Sequence, residues 1–139
     1  MDDIFYMSEK KISITDIAEA ARSVNVKSTF IPQTSDVLQV EYSDGIMTEW
    51  FFMKVEEFQE MDDKKFLSDN KISSIFCISF HVKDFVLILP HIKILLERYG
   101  GCIGNDSEGF QPIFNLHNID FFIIHKYDVK VKRVLKNSR

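Results

Sequence analysis

The side chains able to do chemistry are few, and their spacing does not favour it. None of the four histidines, His81, His91, His117 and His125, falls in an H-E-x-x-H pair or another metal-ligand spacing. His91 sits among apolar residues at helical spacing, where a hydrogen-bonded structural role is expected, and His81 falls at the end of a strand pattern. The two cysteines, Cys77 and Cys102, form no C-x-x-C and make a poor zinc set. With no export signal in the chain, reduced, buried thiols are expected. Asp106 and Glu108 share a turn, and with His117 they sketch a small hydrolase. Two acids are too few to define an acid–base pair or a calcium loop, and acids beside Cys102 would raise its thiol pKa. There is no G-x-S-x-G elbow and no G-x-x-x-x-G-K-[ST] loop. Gly100, Gly101, Gly104 and Gly109 follow a helix pattern instead of preceding one. They read as a C-cap and turn, because phosphate cradles form at helix starts. No catalytic residue, cofactor or metal is therefore expected.

The elements that must carry these residues are clearer. Ser13, with Asp16 three residues later, marks a capping box. Ile14, Ile17, Ala18, Ala21 and Val24 then give one apolar face, which predicts a helix over 14–25. Residues 26–36 read as a loop around Pro32. Strands are expected at 37–43 and 46–54, joined by the hairpin signal Asp44-Gly45, and at 72–81. Residues 55–68 fit a helix with an acidic outer surface. The segment 84–98 predicts a second packed helix, capped by Asp84, in which Pro90 kinks the helix or marks its true start. Short strands at 3–7 and 102–105, a turn-rich loop at 106–112 and an apolar segment at 113–125, which fits a short helix near 117–122 as well as a strand, complete the reading. The fold class is α+β, with a largely antiparallel sheet of about four or five strands and helices packed on it. The expected core is Ile17, Ala21, Leu38, Val40, Trp50, Phe52, Ile75, Cys77, Ile78, Phe80, Leu89, Ile92, Leu95 and Leu96.

Length and charge narrow the function. The 139 residues suit one domain, taken as 1–125, followed by a basic tail, 126–139. The tail holds six bases against one acid, a net of +5. The rest holds eleven bases against twenty acids, a net of −9. An acidic body repels nucleic acid and steers basic partners toward it. The tail has only Tyr127 as a stacking aromatic, so no nucleic-acid partner is expected. The acidic start and the lack of a long apolar run predict a cytoplasmic protein without a membrane span.

One stretch carries a resemblance. Leu95-Leu96-Glu97-Arg98-Tyr99-Gly100-Gly101-Cys102-Ile103-Gly104-Asn105-Asp106, continuing through Gly109-Phe110-Gln111-Pro112-Ile113-Phe114, resembles small bacterial immunity proteins of polymorphic-toxin systems, including contact-dependent growth inhibition. It spans roughly residues 75–122 and is a structural signature, with no toxin-contact residues to transfer. It implies a protein that binds and neutralises a cognate toxin C-terminal domain, such as a basic nuclease, by blocking its active site or its substrate. Charge alone nominates Glu56, Glu57, Glu60, Asp62, Asp63, Asp106 and Glu108 as contacts. The alternatives are a small regulatory or ligand-binding module and, less favoured, a small hydrolase. Oligomeric state is left open.

Overall fold

The computed structural model of the chain describes residues 2–32 and 36–122. His125 and the basic segment 126–139 lie outside them. The local signals translate directly. Ser13 Oγ accepts the Asp16 N–H at 3.1 Å, and the Asp16 carboxylate accepts the Ser13 N–H at 2.9 Å. That reciprocal cap starts α1 (Ile14–Ser23). The Asp44-Gly45 turn joins β3 (Val37–Ser43) to β4 (Ile46–Met53), with Gly45 at φ 75°. Their register sets Leu38 against Trp50 and Val40 against Thr48, so one face of the hairpin points into the core.

Four more strands complete an antiparallel sheet: β1 (Asp2–Ser8), β2 (Ser28–Phe30), β5 (Ser74–Phe80) and β6 (Cys102–Asn105). The order is β2-β3-β4-β5-β1-β6. The fold is α+β, as expected, but the sheet has six strands where four or five were expected. The addition is β2, inside the segment read as a loop. Its three residues pair only with Gln39, Val40 and Glu41 of β3, a partnership that no local pattern announces.

α1 and α3 (Phe85–Tyr99) cover one face of the sheet. Ala18 and Ala21 let α1 approach closely, and Phe85, Ile88, Ile92 and Leu95 fill the space above Tyr6, Trp50, Phe76, Ile78 and Phe80. Pro90 lies within α3, which starts at Phe85 and not at the proline. Pro90 and Val86, one turn before it, are both exposed, so the carbonyl that loses its donor lies on the water side. Asp84 occupies the N-cap position, but its side chain makes no capping hydrogen bond.

The opposite face carries a smaller cluster under α2 (Met61–Asp69). The helix expected over 55–68 is in fact two pieces, a 3-10 turn at Val55–Glu57 and then α2. The break turns Phe58 inward, where its ring lies 5.7 Å from Phe5 and 5.4 Å from Phe110. Gly104 makes room for this packing, since a Cβ there would lie 2.6 Å from both Phe110 Cβ and Met7 Cε. Three expected core residues, Phe52, Cys77 and Leu89, are only half-buried, and the rest of that set is buried. At the chain's far end, a 3-10 turn at Ile119–Phe121 leads to Phe122, which stacks 4.4 Å from Phe85. Phe114 exchanges two backbone hydrogen bonds with Ile103, which partners the outer edge of β6.

Candidate partner-binding surface

The residues that suggested chemistry are dispersed. Asp106, Glu108 and His117 are all exposed. His117 belongs to a polar turn in which Asn115 Oδ1 accepts the His117 N–H at 2.9 Å. Among the described residues no group of three or more His, Cys, Asp or Glu is placed to hold a metal ion. Cys77 and Cys102 are both free, and both project from the α2 side of the sheet. Burial pushes the Cys102 thiol up to about 11. Cys77 is pushed up to about 12, by burial first and then by Asp3 and Asp106. The carboxylate effect expected at Cys102 therefore falls on Cys77, and neither thiol is primed as a nucleophile.

His91 is a core residue. Its Nε2 lies 2.9 Å from the Ile17 carbonyl, which can only accept, so Nε2 carries the proton and Nδ1 accepts from the Tyr42 hydroxyl at 2.9 Å. Tyr42 in turn accepts from Thr48 Oγ1 at 3.4 Å and from Trp50 Nε1 at 3.3 Å. This network ties α1, α3 and the β3–β4 hairpin together inside the apolar layer. Burial drives the His91 pKa down to about 4, which keeps the ring neutral, and raises that of Tyr42. His81, by contrast, is exposed at the end of β5.

The glycine cluster closes a helix, as its position implied. Gly100 is the C-cap of α3 at φ 66°, and a Cβ on Gly101 would lie 2.0 Å from the Met7 carbonyl oxygen. That close approach brings β1 under the helix end. Tyr6 OH donates to the carbonyls of Leu95 and Gly100, at 3.2 and 2.9 Å, and Ser8 Oγ donates to that of Tyr99 at 2.8 Å. Sequence reasoning missed these two capping residues because they act across about ninety positions. Beside this junction a cleft of about 480 Å³ is lined by Lys10, Phe66, Asn70, Tyr99, Cys102 and Ile113, among others.

Two of the acidic residues nominated from charge, Asp62 and Asp63, lie against the turn that follows Asp106 and Glu108. The Asp63 carboxylate accepts the Gly109 N–H at 2.8 Å, and the Asp62 side chain packs beside the same glycine. Segments 56–63 and 106–108, distant in sequence, thus form one surface. Two of its members are held by local structure. Asp63 makes the bond just described, and Glu57 accepts the Lys54 N–H at 2.6 Å. Glu56, Glu60, Asp62, Asp106 and Glu108 are exposed. No helix among the described residues is long and apolar enough to cross a membrane. No family model, curated protein or solved structure matches the chain.

Proposed function

We propose that this chain is an immunity protein that binds a cognate, basic toxin domain and blocks its active site or its access to substrate. The observation that carries the reading is the Asp63–Gly109 hydrogen bond, which joins the two acidic segments into a single exposed surface. Carboxylates gathered in this way attract a basic protein over distance and then form charge-assisted hydrogen bonds with arginine and lysine. The resemblance of the Leu95–Phe114 stretch to polymorphic-toxin immunity proteins supplies the class of partner. The test is co-expression with the product of the neighbouring reading frame. Growth that depends on this chain, together with a stoichiometric complex, supports the reading. A neighbouring product that is harmless and unbound sinks it.

The surface has its own test. Changing Glu56, Glu60, Asp62 and Glu108 together to serine, while keeping Glu57 and Asp63 for their structural bonds, should slow association by about tenfold at low salt. An unchanged association rate removes this surface from the proposal. A second reading, a ligand-binding module, is favoured by the cleft of about 480 Å³ near Tyr99, a volume in the range that small ligands occupy. A rise in melting temperature with a small metabolite, and no toxin partner, would select it.

A further inference from the structure

α2 covers only part of its face of the sheet. Toward β3 and β4 that face is more open, and register arranges it in rows. Gln39 sits opposite Glu49, Glu49 opposite Ser79, and Ser79 opposite Asp3. The next row runs Val37, Phe51, Cys77 and Phe5. None of the six strands contains a lysine, arginine or histidine, whereas Asp2, Asp3, Glu41 and Glu49 all lie in them. Asp3 accepts from Ser79 Oγ at 2.6 Å, and Glu41 is engaged by Lys27, Ser28 and Gly45. Glu49 is exposed and makes no ion pair with any described residue. Beside it is a depression of about 200 Å³, lined by Gln39, Met47, Thr48, Glu49 and Ser79.

We infer that this depression seats one arginine side chain of a basic protein partner, with the Glu49 carboxylate as its counter-charge. The identity of that partner as a toxin rests on the immunity reading, but the chemistry of the seat does not. A guanidinium presents a planar fork of donors on an apolar stem. The depression offers a carboxylate, the amide oxygen of Gln39 and the hydroxyl of Ser79 to the fork, and the Met47 side chain to the stem. Lysine, a compact point charge, would use only the carboxylate. A second copy of the chain fits poorly, because two such faces would set acids against acids with no base between them.

The probe is the peptide acetyl-Leu-Arg-Leu-Arg-Leu-amide, titrated into the isotope-labelled full chain while backbone amide shifts are followed. Its citrulline counterpart, which has the same shape without the charge, is the control. The arginine peptide should move Gln39, Glu49 and Ser79, and the citrulline peptide should not. Glu49→Gln should weaken binding about three- to fivefold, the range of an exposed ion pair, without altering the melting temperature. Shifts confined to residues 56–63 and 106–108, or no shifts, overturn the inference. So do Gln39 and Ser79 shifts that appear on concentrating the protein alone, or on removing residues 126–139, since the occupant is then a second copy or the chain's own basic segment. Failure of the growth test leaves the arginine seat standing, and failure of the peptide test leaves the immunity reading standing.

Discussion

The two faces of the sheet are built from the same strands and solve different problems. The α1–α3 face is closed. Trp50, Phe76, Phe80, Phe85 and Ile92 are all fully buried there, and even its histidine is hydrogen-bonded at both nitrogens. The α2 face holds a smaller aromatic cluster around Phe5, Phe58 and Phe110, and beyond it leaves Met47 and Glu49 exposed. Consecutive residues can therefore have unrelated roles. Glu49 looks outward, and Trp50 fills the core. Stability is concentrated on one side, which leaves the other free to carry charge.

The sharpest way to break this asymmetry is Trp50→Ala. It empties the centre of the closed face and removes the indole N–H shared by Tyr42 and Thr48, so a loss of about 3–5 kcal/mol is expected in chemical denaturation. A cost close to that of a surface change would mean the two faces are equivalent.

Acid comes next. The His91 pKa is about 4 in the folded protein and about 6.5 when the chain is unfolded, so between these values the unfolded chain binds the proton more readily. The stability that depends on neutral His91 is complete above about pH 6.5 and is lost as pH falls toward 4. The expected loss is about 3 kcal/mol. His91→Gln should flatten that part of the pH profile. An unchanged profile would remove His91 as its cause.

The smallest effect belongs to the α2 face. Gly104→Ala should cost about 1–3 kcal/mol by forcing Phe110 and Met7 apart. It should disturb amide exchange around α2 and leave the Tyr42–His91 network untouched. Equal loosening of both faces would show that they unfold as one unit.

How much of this could be read in advance depends on range. The capping box at Ser13 and Asp16, the Asp44-Gly45 hairpin and the glycine stop after Tyr99 involve neighbours in sequence, and all three were legible. β2 was not, because its pairing with β3 is decided by tertiary contact and not by propensity. Nor was the break before α2, where the pull of Phe5 and Phe110 on Phe58 outweighs a helical pattern. The acidic contacts were nominated by charge alone, so charge could not separate Glu57 and Asp63, which hold local structure, from their exposed neighbours. The Glu49 depression was invisible for the same reason as β2: Gln39, Glu49 and Ser79 become neighbours only through strand register.

The place of β1 bears on how the protein is made. This strand lies inside the sheet, flanked by β5 and β6, and its Ile4-Phe5-Tyr6-Met7 run is buried from both sides. Its partners are translated much later, β5 beginning at Ser74 and β6 at Cys102. At about 5–20 residues per second, the ribosome holds that apolar run without a mate for several seconds. The sheet therefore cannot assemble in the order in which its strands are made. The segment must stay shielded, by a chaperone or by transient collapse, until β5 and β6 have been made.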